Sequence, residues 1–404
     1  MIMEEFINYC EEIYAFYNNL QKVFHGWWYK ANVKNFELLL GEPIQTEKLI
    51  EDLDYLKEKQ DEISFPDSQD FFVRNSKKQI ELIFKAADIQ ISILSGKKFN
   101  PLFLRNELYD VDIEKWFKIA NKELENSFED IAETIGKERA IQLIAKSGEG
   151  TITGKKKIGD FVKIFMKNAT LKIDDFVHIP ANDRALLKKH VNYKINFDLS
   201  SNLVMRVTPG ERTMYFSPNY RFSNVFLDFI LSHDYCGHVF HDVLSNEILS
   251  KQRLSIFKTW FDDEFDMFSR FGEGMSCFAE KVVPMFLGLS KDVVDYVHVR
   301  QKIWLPLRVV LDMKINVQKV SISDVKEYMK QFGFPDDFIE YNINNIVFHN
   351  MGYMSVYYPS LREVEELQNK YNINSFNLYE LLLTAGNIPL DLLEEYHLKK
   401  WIGI

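Results

Sequence analysis

The chain has 404 residues, 46% hydrophobic and 27% charged, with a formal net charge of -10. That is enough apolar material for a large core or two closely joined lobes, and the acidic balance argues against a nucleic-acid or anionic-membrane surface as partner. Three cysteines, Cys10, Cys236 and Cys277, make no disulfide framework and fit a reducing, cytoplasmic setting. The N-terminal stretch lacks the basic n-region of a signal peptide, and no stretch approaches the roughly 20 apolar residues of a membrane span.

From Phe6 to about Ala145, apolar residues recur at intervals of three and four with Lys and Glu between them, the signature of amphipathic helices. Ser76 to Leu94 and Ile113 to Phe128 are two of these, the second with Asp112 placed as its N-cap. The stretch Ser147-Gly-Glu-Gly-Thr-Ile-Thr-Gly154 lacks the Lys-Ser/Thr ending of a phosphate-binding loop and reads as a joint, and Lys155-Lys156-Lys157 after it as a solvated loop. This divides the chain into an N-terminal helical lobe (1–146), a Gly/Lys-rich joint (147–160) and a second helical lobe (161–404). Within the second lobe, Leu203 to Thr208 and Thr213 to Phe216 flank Pro209-Gly210 and read as a β-hairpin. Helical patterning resumes at Asn224 and runs nearly to the end, with Pro306, Pro335 and Pro389 marking kinks or starts. The expected fold is mainly α, with a cleft between two lobes and one small hairpin beside the helix described next.

Three of the nine histidines fall in Ser232-His-Asp-Tyr-Cys-Gly-His-Val-Phe-His241, just after the apolar run Phe226 to Leu231. Burying imidazoles and a carboxylate together is costly unless they pair or hold a metal, so the cluster points to a metal site. On a regular helix Asp234, His238 and His241 share one face. His233 and His238 are five apart and align only across a π-helical turn, for which Gly237 is a plausible place. The two ligand sets, His233 with His238 or His238 with His241 and Asp234, both remain open at this point. Glu273 and Glu280, seven residues apart in Phe271-Gly-Glu-Gly-Met-Ser-Cys-Phe-Ala-Glu280, share a face with Cys277 among apolar neighbours and supply the other half of the site. Cys236 and Cys277 read as small core residues, with a ligand or redox role as the alternative. Asp262, Asp263 and Glu264 read as a solvated run.

Several blocks in the same order resemble the bacterial family called domain of unknown function 885, which is similar to helical gluzincin zinc peptidases such as the thermostable carboxypeptidases. They are Pro209 to Asn219, His233 to His238, Glu273 to Glu280, Trp304 to Asp312 and Gly386 to Glu395, and the resemblance covers roughly Asn202 to Ile404. It implies a helical gluzincin-like fold with zinc held by His233, His238 and Glu273. It further implies a metal-bound water as nucleophile and Asp234 as general base, with Glu280, Asp312 and Arg308 behind the ligands. Two departures stand out: Asp234 replaces the family's Glu, and the His233–His238 spacing is one residue short. Aligned without a gap on Gly237-His238, Ser232 falls on the first His and His233 on the Glu. The family's tyrosine block is replaced by His349 to Ser355, leaving Tyr353, Tyr357 or Tyr358 as candidate donors to an oxyanion.

The sequence therefore supports a metal-dependent hydrolase acting on a peptide or small amide. The alternatives are a redox enzyme using iron or manganese at the same cluster, and a non-catalytic peptide-binding descendant.

Overall fold

A computed structural model describes residues 2–24, 45–63, 65–66, 71–95, 112–145, 150–197, 204–208, 211–245, 269–344, 346, 356–385 and 390–394. Tyr353, the Pro209-Gly210 turn, the acidic run 262–264, Pro389 and the block 349–355 lie outside them.

The first unit is α1 (Ile2–Phe24), α2 (Thr46–Glu62) and α3 (Phe71–Leu94). Phe6, Tyr9, Ile13, Tyr17 and Leu20 follow the three-and-four spacing and are fully buried against Leu53 and Leu56 of α2 and Ile80, Ile83 and Ala87 of α3. The buried Tyr9 hydroxyl is not stranded: it donates to the Leu56 carbonyl at 2.8 Å.

A second, larger core is drawn from residues between Ile113 and Leu393, with a small separate cluster of Phe229, Tyr296 and Val297. The larger core begins with α4 (Ile113–Thr134) and α5 (Lys137–Ala145). Asp112 caps α4 as the sequence suggests, its carboxylate accepting from the Lys115 N–H at 3.0 Å. Because Trp116, Ala120, Leu124 and Ile131 pack into this second core, the hydrophobic division falls between Leu94 and Ile113 rather than at residues 146–147. Of the expected joint, residues 150–160 are described, and Ile152 and Ile158 pack with the larger core. Ile152 pairs with Phe222 in an isolated bridge, and Gly154, at a φ of 82° that favours glycine, turns the chain into α6 (Lys155–Lys172). The three lysines form the exposed first turn of that helix instead of a loop.

After α7 (Ala181–His190) comes a three-stranded sheet of β1 (Lys194–Asn196), β2 (Met205–Thr208) and β3 (Thr213–Phe216), in the order β1-β3-β2. The hairpin expected from the sequence is the antiparallel β2–β3 pair, with Val207 opposite Met214. Strand β1, parallel to β3, is too short at three residues to show alternation in the sequence.

Then come α8 (Asn224–Leu231) and its π-helical continuation Ser232–Val239, α9 (Ser269–Leu287), and a rod of α10 (Lys291–Val299), a π stretch Arg300–Trp304, α11 (Leu305–Asp312) and a π stretch Met313–Val317. Pro306 sits at the start of α11, where its missing N–H withdraws one helical hydrogen bond and a wide turn precedes it. The chain closes with α12 (Ile322–Gln331), α13 (Asp336–Asn344), α14 (Tyr357–Tyr371), α15 (Ser375–Ala385) and the short α16 (Leu390–Leu393). The fold is mainly α with a small β element, and no described helix is long and apolar enough to cross a membrane.

Replacing Asp112 with Ala is expected to lower stability by about 1 kcal/mol through loss of the α4 cap, measured by urea unfolding. An unchanged midpoint would show that the cap contributes nothing to the larger unit.

Candidate metal centre

The helix bearing the histidines departs from α geometry where the ligands sit. Ser223 caps α8 by accepting from the Phe226 N–H, and a regular helix runs to Leu231 before widening over Ser232–Val239. In an α-helix the Phe240 N–H would reach the Cys236 carbonyl. Here it donates to Tyr235 and Gly237, and the Tyr379 hydroxyl of α15 supplies a donor to Cys236 at 2.7 Å. The extra residue in the turn brings His233 and His238 together, with ring centroids 5.0 Å apart. Asp234 and His241 belong to no group of possible metal ligands among the described residues, whereas His233 and His238 group with Glu273. The His241 ring packs 5.5 Å from Phe271.

Two glycines permit the approach of the neighbouring helices. A Cβ on Gly237 would lie 2.9 Å from the Cα of Ser276 in α9. A Cβ on Gly274 would lie 2.7 Å from the Ser360 carbonyl oxygen of α14. Both are backbone contacts that no side-chain rotation can relieve, so these helices meet as closely as they do only because of glycine. The role of Gly237 is thus close approach to α9 as well as membership of the widened turn.

Across that interface, Glu273 Oε2 lies 3.2 Å from His233 Nε2 and 3.7 Å from His238 Nε2. Three ligands at zinc distances on a tetrahedron are separated by about 3.3 Å, so the donor set fits a cation of that size. All three side chains are buried. Burial opposes the charged form of His233, yet its contacts with Cys277, Glu273 and Glu280 hold its pKa well above the ordinary value. Burial likewise opposes ionisation of Glu273, and His238 and His233 overcome it, holding that carboxyl well below the carboxylate range.

Behind the ligands, His233 Nδ1 is 2.8 Å from Glu280 Oε1. Glu280 is fully buried and is held in turn by Arg300 at 3.2 Å and Gln301 at 3.4 Å. This is the carboxylate–histidine arrangement that fixes the tautomer and ring orientation of a metal ligand. A second grouping, His233 with Cys277 and Glu280, also lies within ligand distance. Burial pushes the Cys277 thiol up to about 12; the first grouping, two imidazoles and a carboxylate, is the set that matches a His2Glu zinc site.

The remaining expected residues fall as follows. Asp234 keeps partial exposure, and burial, partly offset by His233 and His238, raises its pKa. The Tyr357 ring lies over His233, centroids 5.9 Å apart at 25°. Tyr358 points elsewhere, its hydroxyl on Glu123 and its ring edge-on to Trp116. Asp312 is buried and accepts from Asn316 at 2.8 Å, outside both ligand groups. Arg308 stacks on Trp304 at 4.9 Å with Tyr357 at 6.0 Å, while the ion pair with Glu280 belongs to Arg300, which sequence reasoning passed over. The signal for Arg300 was a charged side chain close to the apolar residues Val297, Val299, Ile303 and Trp304. The apolar neighbours of these groups, among them Tyr235, Val239, Met275, Phe278 and Ala279, all belong to the larger core, so the site is walled by that core.

No family model matches the chain, and no curated protein matches it. Among solved structures it is similar to a protein from Shewanella oneidensis described as a candidate lipoprotein of unknown function, with TM-score 0.49, 14% identity and coverage of 89% of this chain and 74% of that one. It is also similar to one from Colwellia psychrerythraea described as a candidate lipoprotein, with TM-score 0.53, 11% identity and coverage of 87% of this chain and 66% of that one. At these identities the likeness to the second concerns the fold alone.

Substituting Glu280 with Gln, which keeps the shape but removes the charge behind His233, is expected to weaken zinc binding by about 10- to 100-fold. Competition titration with a chromophoric chelator measures this, and equal affinity would remove Glu280 from the site.

Proposed function

We propose that this protein is a metal-dependent hydrolase of peptide or small amide bonds, with zinc held by His233, His238 and Glu273. The observation that carries the reading is the convergence of both Nε2 atoms on one carboxylate oxygen of Glu273, with Glu280 behind His233. Two histidines and a glutamate form a ligand set that leaves a coordination position open. A zinc ion there would supply Lewis acidity toward the scissile carbonyl and an acidified water. Asp234, next to His233 and partly exposed, accepts the proton of the attacking water and returns it to the leaving nitrogen. Tyr357, over the His233 ring, is the candidate donor to the developing oxyanion. The resemblance to domain of unknown function 885 supports the same assignment, with the widened turn answering the short histidine spacing. The three free, buried cysteines favour a reducing, cytoplasmic compartment.

A second reading rests on the same donors. Two histidines and one carboxylate also suit non-haem iron, with positions open for oxygen.

Elemental analysis of protein purified without added metal is expected to find about one zinc per chain, lost on His238→Ala and Glu273→Ala. Peptide and amide hydrolysis by the zinc-loaded protein is expected to fall about a hundredfold or more with Asp234→Asn. Iron with oxygen-dependent turnover would replace the hydrolase by the redox reading; wild type that takes up no metal would sink both.

A further inference from the structure

Among the described residues, this acidic chain carries a concave surface of the opposite sign. A groove of about 1010 Å³ runs between α6 and the segment from the end of α7 through β1. Its rim carries Lys155, Lys156, Lys163, Lys167, Lys188 and Lys194, and a single carboxylate, Asp160. Lys188 is engaged with Asp174 at 2.5 Å. Lys156, Lys163 and Lys167, spaced by seven and four residues, share one face of α6. In a chain of net charge -10, lysines gathered on a groove repel one another and concentrate a positive field in the concavity.

The floor is apolar, with Met166, Val191, Tyr193, Phe197 and Tyr235 beneath the lysines. Tyr235 belongs to the π stretch of the metal-bearing helix, and its hydroxyl is fixed by the Val191 carbonyl at 3.1 Å. One wall is β1, an edge strand of the sheet. The Lys194 N–H donates to Arg212, toward β3. Because backbone groups alternate along a strand, the N–H and C=O of Ile195 face away from β3, toward the edge that carries no strand among the described residues.

We propose that this groove binds an extended acidic peptide segment, which adds as a strand to the outer edge of β1 and lays its carboxylates against the lysines of α6. The open edge supplies main-chain hydrogen bonds in one direction, and an alternating acidic and apolar sequence matches lysines at the rim and aromatics at the floor. A compact anion would meet the charges but has no use for the strand edge or for the apolar floor. The groove includes none of the metal-centre residues, so the inference is independent of the hydrolase reading.

Fluorescence anisotropy on the full chain tests it, using a fluorescein-labelled Glu-Val repeat octapeptide with its Gln-Val and Lys-Val counterparts. The acidic peptide is expected to bind at least about tenfold more tightly than the other two, to weaken as salt is raised, and to lose about tenfold again in the Lys156→Glu/Lys163→Glu/Lys167→Glu variant. Methylating alternate peptide nitrogens on the protein-facing edge is expected to abolish binding, a readout that leaves the protein unchanged should the triple variant fold poorly. Equal binding of the three peptides overturns the proposal. So does indifference to N-methylation, and so does displacement by tripolyphosphate or phosphatidylserine vesicles that bind as tightly as the peptide, since each would reduce the groove to a general anion surface.

Discussion

The contact of Gly237 with Ser276 sets how near the histidine helix can come to α9, and the rest of the centre depends on that distance. A methyl group on Gly237 would meet the Ser276 backbone, and separating the helices would pull Glu273 from the two imidazoles. The second contact, Gly274 against Ser360, seats α9 on α14 and so brings Tyr357 over His233. Close backbone approach and the widened turn act together. The turn aims His233 and His238 in one direction, and the glycines let a carboxylate meet them there. Tyr379 stabilises the turn by giving the displaced Cys236 carbonyl a donor.

Burying this much charge requires pairing at every level. Glu273 faces two imidazoles, Glu280 is held between His233 and Arg300, and Arg300 lies 4.8 Å from the Phe229 ring. Leaving any one of these buried and uncompensated would be strongly destabilising. A network of this kind contributes little to net stability compared with an apolar core of the same volume, and its donors form a group that could hold a metal ion. The positive groove on the far side of the same helix follows another logic. Its charges stay in water at the rim of an apolar floor, and Tyr235 connects the two regions through one helical segment.

Much of this was legible in the sequence because the pattern was local. The recurrence of apolar residues gave the helices, Asp112 gave a boundary, and the five-residue spacing of His233 and His238 raised a π turn as one of two possibilities. The choice between them was not local. It depends on α9 and α15 packing against the helix, through Ser276 and Tyr379, and neither residue advertises that role in the sequence. Arg300 was passed over for Arg308 because the resemblance covers Trp304 to Asp312 and so includes only the second arginine. The division of the chain at 146–147 followed a change in composition, whereas the core divides before Ile113, since an amphipathic helix does not reveal which neighbour covers its apolar face. Strand β1 escaped notice because three residues carry no period.

The proposed cation site is formed by His233, His238 and Glu273, without the thiol of Cys277. X-ray absorption at the zinc edge of the zinc-loaded protein tests it most directly. The account predicts nitrogen and oxygen neighbours at about 2.0–2.2 Å with imidazole multiple scattering and no sulfur. A sulfur shell at about 2.3 Å would move the metal to the His233–Cys277–Glu280 side of the ring and contradict the account.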